Sequence, residues 1–545
     1  MGIPSYFSHL VKNHSEILKT IDNLNKNIHN FYLDSNSIIY DCVRSIPRLE
    51  NETDNDFEEQ LILIVCQKIE EYINIIKPSN NIIIAFDGVA PVAKLEQQRN
   101  RRYKSNFESK LTLHLKSQLK NDNAVSHEII KPQENTWKLA SITPGTNFMK
   151  KLSKYVTNYF LKNKNKFKTR NIIVSTSNEP GEGEHKLYEY IRTHPNKHRD
   201  KVTIVYGIDA DLIMLCLNHL PNCKDLYLYR ETPYFIKSLC ADLEPEKCYL
   251  MNIPRLANII ISRMNNFKEA NFIYQKNKLY DYIFLCFLLG NDFMPHLPYI
   301  NIRTTGIDIL MNTYSKIFSN NDKNITDGKI IYWNHFRLLI EDLANNEEQY
   351  FKDEYKIRNK WEKRHVPQKT FDEKINKFNY IPIKNREIEQ LINPFERGWK
   401  TRYYKYLFGF EPSEYYIKKV CLNYLEALEW TFKYYTDDCY DWRWCYNYNY
   451  APLFSDLLKY IPIFNTPMIE KLPKNPIHSD IQLTYVLPKD YDFLLNKEIK
   501  EKIENSNINI YPEELTFHWA FCKYFWECHV ELPHINIEKL EQLIL

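Results

Sequence analysis

Hydrophobic and polar positions change their spacing near residue 225 of the chain. Before that point, short apolar runs alternate with longer segments of helical spacing, such as FEEQLILIVCQKIEEYI and FMKKLSKYVTNYFLKN. The predicted strands are NFYLD, NNIIIAFD, NIIVST and KVTIVYGID, and they are apolar throughout, as strands covered on both faces require. This alternation predicts an α/β domain over residues 1–225, built on a doubly wound, mostly parallel sheet.

Residues 226–545 carry helical spacing and few strand signatures. The clearest helical segments are YDYIFLCFLLG, WNHFRLLIEDLANNEEQYF and YYIKKVCLNYLEALEWTFKYY. We therefore expect a largely α-helical second region. Its charged stretch at about 352–395 has few apolar positions, and we expect a linker or an extended surface element there.

The composition is ordinary for a soluble protein, with 44% hydrophobic residues, 26% charged residues and a net charge of +3 over 545 residues. No apolar run reaches the roughly 18 residues of a membrane-spanning helix, so no membrane partner is expected. The twelve cysteines lack a CxxC pair, which favours buried free thiols over a zinc site or a disulfide framework. This indicates a reducing compartment, and we expect the cytoplasm, with the nucleus left open.

Acidic residues mark the ends of the predicted strands. The blocks are FYLD ending at Asp34, IIIAFDG with Asp87, PGEGEHK with Glu182 and Glu184, YGIDADLIML with Asp209 and Asp211, and a fifth, LLGNDFMP, with Asp292. One such Asp is commonly a helix cap, but the carboxyl ends of parallel strands line one crevice, so five blocks should converge there. Converging carboxylates repel one another and need cations. The pattern predicts that all seven acids serve two Mg²⁺ ions, with Mn²⁺ as a substitute, in two-metal phosphodiester hydrolysis.

A cationic stripe follows Asp87 in the segment GVAPVAKLEQQRNRRYKS. On a helix, its members share one face, and they are Lys94, Gln98, Arg101 and Arg102. A solvated charged face would explain this spacing. The stripe begins seven residues after a predicted metal ligand, however, and clustered Arg and Lys make good phosphate ligands. We therefore interpret it as a phosphate-binding surface.

Together these motifs resemble the Xrn family of 5′→3′ exoribonucleases. The resemblance is carried by MGIPSYF, YLDSNSIIYD, AFDGVAPVAKLEQQRNRRYKS, SITPGTNFM, EPGEGEHKLYEYIR, YGIDADLIML and FLLGNDFMPHLP. Later segments resemble the family's helical second region, namely GWKTRYYKYLF, YLEALEWTFKYY, DWRWCYNYNYAPLFSDL and YFWECHVELP. The resemblance implies a PIN/FEN-like nuclease domain over 1–225 and a helical domain over 226–545, whose start supplies Asp292 to the active site.

The resemblance also implies a role for each matching residue. The seven acids become the catalytic and metal-binding set, and the stripe holds a 5′-terminal monophosphate. Tyr40 stands where the family has a His that stacks on the terminal base. The aromatic ring of Tyr40 can still stack on a base, but the titratable imidazole is lost. A second stacking platform is expected at Trp444, slightly preferred over Trp442, against the alternative that either is a core aromatic. Pro91 and the MGIP segment match parts of an entrance that excludes duplexes.

The implied function is Mg²⁺-dependent, processive 5′→3′ degradation of 5′-monophosphorylated, decapped single-stranded RNA to nucleoside 5′-monophosphates. We expect a monomer that takes part in mRNA decay. The chain ends at Leu545, without the long extension of the family's large members, so we expect a compact form, of the kind a virus or a reduced genome would encode.

Two rival interpretations stay open. A flap-type, structure-specific DNA nuclease would share the acid-lined α/β core, but its Gly-rich helix-hairpin-helix has no counterpart in the later half of this sequence. A nuclease-dead RNA-binding scaffold would keep the crevice only as a groove, and loss of a central acid would favour it. All seven acids are present in the sequence.

Overall fold

The computed structural model describes residues 3, 5–49, 51–121, 137–223, 225–268, 271–320, 322–506 and 508–545. Met1, Gly2 and Pro4 of the MGIP segment lie outside these residues. The strands are β1 (Leu18–Lys19), β2 (Asn30–Asp34), β3 (Asn81–Ala85), β4 (Asn171–Ser175), β5 (Val202–Tyr206), β6 (Asp225–Glu231), β7 (Cys248–Asn252), β8 (Thr516–His518) and β9 (His529–Glu531).

Helices make up most of the remaining described chain. They are α1 (Tyr6–His14), α2 (Asn36–Ser45), α3 (Asp54–Ile76), α4 (Val92–Asn121), α5 (Asn147–Lys162), α6 (Gly183–Thr193), α7 (Asp211–His219), α8 (Ile253–Met264), α9 (Lys276–Phe287), α10 (Gly306–Phe318), α11 (Trp333–Asn345), α12 (Glu347–Glu362), α13 (Phe371–Asn379), α14 (Ile381–Lys384), α15 (Glu387–Ile392), α16 (Trp399–Phe408), α17 (Glu414–Thr436), α18 (Phe454–Tyr460), α19 (Ser479–Val486), α20 (Lys497–Glu504) and α21 (Ile537–Ile544). Among the described residues, none of these helices combines the length and the apolar character needed to cross a membrane.

The chain forms two compact units that interleave along the sequence. One, here called the sheet unit, comprises Met1–Ala93, Lys150–Glu347 and Ser413–Pro476. The other, here called the α4 unit, comprises Lys94–Met149, Glu348–Pro412 and Ile477–Leu545. Each unit takes segments from both sides of residue 225. The domain boundary at residue 225 was inferred from the change in sequence pattern, and it stays a prediction.

The sheet of the sheet unit has the strand order β1-β7-β6-β5-β2-β3-β4. Neighbours from β6 to β4 pair in parallel, and β7 is antiparallel to both β6 and β1. After β2 the chain proceeds to β3 and β4 on one side, and it then returns to β5 and β6 on the other side. The carboxyl ends of β2 and β5 therefore flank a topological switch point, where open α/β sheets place their ligands.

Helices cover both faces of this sheet. The register pairs Leu33 with Tyr206, so the side chains of Tyr206 and Tyr32 lie on opposite faces. The ring of Tyr206 is 4.6 Å from that of Tyr72 on α3, and the ring of Tyr32 is 6.0 Å from that of Tyr190 on α6. The predicted doubly wound, mostly parallel architecture is thus confirmed.

The four predicted strands are β2 to β5, whereas β1, β6 and β7 were not predicted. β1 has only two residues, and β6, DLYLYRE, carries charges at its ends that mask its buried centre. β7 lies within the region that the pattern assigns to helices. The expectation of a largely α-helical second region is confirmed, since β8 and β9 are the strands found after β7 among the described residues.

The charged stretch at 352–395 is not a linker. It folds into α12 to α15, and its charges are partly buried. Glu389 is fully buried and accepts bidentate hydrogen bonds from Arg358, at 2.8 and 2.6 Å, and a further one from Arg386 at 2.6 Å. The prediction was wrong because a buried ion-pair network has the same local composition as a solvated surface.

Candidate active site

Three of the seven predicted acids meet at the carboxyl ends of β2 and β3. Asp34 ends β2, Asp87 lies two residues beyond β3, and Glu184 is in the first turn of α6. One carboxylate oxygen from each lies within 4.8 Å of the other two. We call these three residues the acid cluster. Their arrangement follows from the parallel pairing of β2 with β3, which sets Asp34 beside Ala85.

Two glycines allow the backbone to approach the acid cluster closely. A Cβ at Gly183 would lie 2.6 Å from Asp34 Oδ1 and 3.3 Å from Asp87 Oδ1, and the Gly183 N–H donates to Asp87 Oδ1 at 2.7 Å. A Cβ at Gly207 would lie 3.4 Å from the Cβ of Asp34. The glycines of PGEGEHK and YGID are therefore part of the site, a role that the sequence analysis missed.

Asn36 orients Asp87, and Lys186 joins two strand ends next to the acid cluster. Asn36 Nδ2 donates to Asp87 Oδ2 at 2.5 Å, and Asn36 Oδ1 accepts the Asp87 N–H at 3.2 Å, so the two residues hold each other reciprocally. The Lys186 ammonium donates to the carbonyls of Phe86 and Thr176, at 2.8 and 2.9 Å, and joins the ends of β3 and β4. Burial lowers the pKa of Lys186 to about 8, and the charge of Asp87 opposes that shift. Both residues lie in the quoted motifs, but nothing in local spacing distinguishes them.

Without a cation, the surroundings of the acid cluster favour the protonated form of Asp34. Asp34 is 5% exposed, and burial, followed by the charges of Asp87, Asp209 and Glu182, raises its pKa well above the usual range for Asp. Its Oδ1 is buried without a hydrogen-bond donor from the described residues. A divalent cation would satisfy that oxygen and stabilise the ionised form. The donor set, all carboxylate oxygens, fits a hard ion such as Mg²⁺.

The other acids lie near the acid cluster. Glu182 is the N-cap residue of α6, and its Oε1 accepts a hydrogen bond from the Tyr434 hydroxyl at 3.0 Å. Burial raises the pKa of Tyr435 well above the usual range, and Asp211 adds to this by its charge and a side-chain hydrogen bond. The charges of Asp292 and Glu184 act on Tyr435 in the same direction. Glu184 thus belongs both to the acid cluster and to the group around Tyr435, so all seven acids lie in one neighbourhood of the sheet unit.

Arg230 on β6 supports the loop that carries Asp209. Its Nη2 donates to the carbonyl of Ile208 at 2.6 Å, and its guanidinium lies 3.7 Å from the ring centroid of Phe7 on α1. Burial lowers the pKa of Arg230 to about 10, and the negative charge of Asp209 counteracts the shift. This buried cation was also missed, because β6 itself was not predicted.

The predicted stacking residues lie in the sheet unit. Tyr40 is half-buried on α2. Trp444 is 9% exposed; its ring stacks on Trp430 at 5.3 Å, and its indole N–H donates to Glu426 Oε2 at 3.3 Å. Trp442 is buried as well. These are the contacts of packed aromatics, and base stacking by Tyr40 or Trp444 stays a prediction. Pro91 is buried, directly before α4.

The cationic stripe lies on α4, within the α4 unit. Lys94 is buried, Gln98 and Arg102 are half-buried, and Arg101 is exposed. The Arg102 Nη2 donates to Thr143 Oγ1 at 2.6 Å, and the fully buried Thr143 hydroxyl donates to the carbonyl of Ala140 at 2.6 Å. The SITPGT turn therefore orients the guanidinium of Arg102.

Two further cations of the same run serve a different purpose. The Arg99 guanidinium is 1% exposed and donates to the carbonyls of Pro533 and Ile510, at 2.8 and 2.9 Å. Lys104 donates to the carbonyls of Trp526 and Cys528, both at 2.7 Å. These bonds attach α4 to the C-terminal segments of its own unit. The sequence analysis assigned neither Arg99 nor Lys104 to the stripe, but it did not predict these contacts with the C-terminal segments.

Comparison with known proteins gives one consistent result. A family model described as "XRN 5'-3' exonuclease N-terminus" matches residues 1–232, and one described as "Xrn1 helical domain" matches 274–391 and 383–544. The chain is similar to "5'-3' exoribonuclease 2 homolog" of Drosophila melanogaster, with 28% identity over 99% of this chain and 70% of the relative. It is also similar to "5'-3' exoribonuclease 1" of Homo sapiens, with 27% identity over 99% of this chain and 34% of the relative.

Among solved structures, "The catalytic core of Rad2 in complex with DNA substrate (complex III)" overlays 64% of this chain and 81% of that chain. The sequence identity is 11% and the TM-score is 0.28. That TM-score is too low to support a statement about fold or function.

Proposed function

Because the chain belongs to the Xrn family of 5′–3′ exonucleases, we propose that it is a Mg²⁺-dependent 5′→3′ exoribonuclease. It acts on single-stranded RNA with a 5′-monophosphate and releases nucleoside 5′-monophosphates one at a time. The names of its relatives support the exoribonuclease activity. The observation that carries the chemistry is the acid cluster, whose buried Asp34 oxygen has no donor among the described residues.

The seven acids are proposed to hold two Mg²⁺ ions. When bound, such ions would lower the pKa of an attacking water and stabilise the departing 3′-oxygen. The chain supplies the geometry, since Asn36 and the Gly183 N–H fix the Asp87 carboxylate from two sides. Burial of Asp34 beside other acids makes its ionised form dependent on a cation. We therefore propose that metal binding and ionisation of the site are linked.

The cationic stripe on α4 is proposed to select the 5′ end of the substrate. Lys94, Gln98, Arg101 and Arg102 offer N–H donors that match a terminal monophosphate, and Thr143 fixes the fork of Arg102. We propose that these donors form a pocket for a single phosphate, which would reject a cap or a triphosphate, so that capped RNA would be protected until it is decapped. Each cleavage leaves a new 5′-monophosphate, which permits processive action.

The test uses one RNA sequence with a 5′-monophosphate, a 5′-hydroxyl or a 5′-triphosphate, incubated with the protein and Mg²⁺. We expect mononucleotide release from the monophosphate substrate and its loss in the Asp209→Ala variant. Asp225→Ala is the matched control, because Asp225 lies at the start of β6, at the opposite end of the parallel strands from the acids, and pairs with Lys26 at 2.8 Å. Equal cleavage of all three RNAs would contradict the proposal that the cationic stripe binds the 5′-phosphate. Binding without any cleavage would support the scaffold alternative.

A further inference from the structure

The last turn of α17 brings two consecutive tyrosines next to the acids of the site. The Tyr434 hydroxyl donates to Glu182 Oε1 at 3.0 Å, and both side chains are buried. The next residue, Tyr435, is fully enclosed and interacts with Asp211 through a side-chain hydrogen bond and through charge. One helix end therefore supplies a hydroxyl to an acid of α6 and another to an acid of α7.

The helix end that carries both tyrosines is held in place by its neighbours. Tyr434 stacks face to face on His185 of α6, with 3.6 Å between ring centroids and 20° between planes, and lies 4.9 Å from Trp430 one turn earlier. Tyr435 accepts a hydrogen bond at its carbonyl from Asn218 Nδ2 of α7, at 2.9 Å. Because these contacts fix the helix end against α6 and α7, the two hydroxyls can orient carboxylates rather than follow them.

The arrangement divides the seven acids into two groups. Asp34 and Asp87 are oriented by elements of the sheet, through the pairing of β2 with β3 and through Asn36. Glu182 and Asp211 are instead oriented by α17, which lies more than 200 residues further along the chain. A hydroxyl that binds one lone pair of a carboxylate fixes the direction of its remaining lone pairs. Partners that orient metal ligands in this way set the affinity for the metal ion.

We propose that Tyr434 and Tyr435 are positioning residues that set the Mg²⁺ affinity of the acids Glu182 and Asp211. This inference rests on the proposed metal-dependent function and deepens it. Neither tyrosine touches the reacting atoms; each acts through the carboxylate that it holds. The segment YLEALEWTFKYY is therefore a part of the metal site, in addition to being a packed helix.

The experiment measures Mg²⁺ binding without RNA. The melting temperature of the wild-type protein and of Tyr434→Phe and Tyr435→Phe is followed as a function of Mg²⁺ concentration, since a ligand of the native state raises it. Each variant is expected to need about 10- to 100-fold more Mg²⁺ for half-maximal stabilisation. The same increase is expected in the Mg²⁺ concentration for half-maximal mononucleotide release, with activity restored at high Mg²⁺.

Tyr314→Phe is the matched control. The Tyr314 hydroxyl donates to the buried carboxylate of Asp281 at 2.6 Å, which is the same type of bond at an acid outside the seven. It should lower the melting temperature without changing the Mg²⁺ dependence. Unchanged Mg²⁺ dependence in both site variants would overturn the inference alone. Absence of any Mg²⁺ effect on the wild-type protein would overturn the metal assignment, and the inference with it. If one variant does not fold, the other tests the same claim at the second acid.

Discussion

Replacing Gly183 by alanine would place a methyl group inside the acid cluster. The new Cβ would lie 2.6 Å from Asp34 Oδ1, whereas ordinary contacts begin at 3.4 Å, so one of the two groups must move by about 0.8 Å. Asp34 cannot move far, because its side chain is buried. A displacement of this size at a reacting centre costs about 100-fold in rate, which is about 3 kcal/mol of activation free energy.

The assay compares mononucleotide release and thermal unfolding in the same preparations. Gly183→Ala is expected to lose about 100-fold in kcat, while its stability falls by about 1 to 3 kcal/mol from overpacking, partly offset by the better helix propensity of alanine. Gly409→Ala is the control for stability. Gly409 has φ +72° and no atom within 4 Å of a new Cβ, so its substitution causes backbone strain without a collision.

A Gly183→Ala protein with more than half of the wild-type kcat would refute the reasoning, because Asp34 and Asp87 would then tolerate a methyl group between them. An equal loss of activity in Gly409→Ala would refute it in a second way. In that case, general destabilisation would explain the defect.

Three further predictions follow from other contacts. Thr143→Val removes one acceptor of Arg102, so KM for 5′-monophosphate RNA should rise about fivefold in steady-state assays, equivalent to about 1 kcal/mol; an unchanged KM would contradict the role of Thr143. Burial lowers the pKa of His198 to about 4 from its ordinary 6.5, so the unfolded state binds the proton first as pH falls, and stability decreases from pH 6.5 towards pH 4. Urea unfolding at pH 7 and pH 5 should show about 2 kcal/mol of this loss, and His198→Gln should remove it; an unchanged difference would contradict the assignment. Glu389→Ala leaves Arg358 buried without its carboxylate, and we expect a loss of about 3 to 5 kcal/mol in urea unfolding, which a loss below 1 kcal/mol would contradict.

Much of the architecture could be predicted from local pattern. The apolar runs identified β2 to β5, because strands covered on both faces have a sequence signature that does not depend on their partners. The positions of Asp34 and Asp87 after those runs placed them at one edge of the sheet, since parallel strands share their direction. Helical spacing likewise grouped Lys94 with Arg101 and Arg102, because a helix face depends only on sequence separation.

The sequence by itself therefore determined the class of fold, the helical second region and the strand ends at which acids collect. The tertiary structure decided what those residues contact. The hydrogen bond from Tyr434 to Glu182 joins positions 252 residues apart, and no local period encodes such a pair. The same holds for Arg99, whose carbonyl partners lie more than 400 residues away and distinguish it from Arg102. Burial of the charges around Glu389 could not be predicted either. A segment whose charges are solvated and a segment whose charges are paired in the interior have the same amino-acid composition.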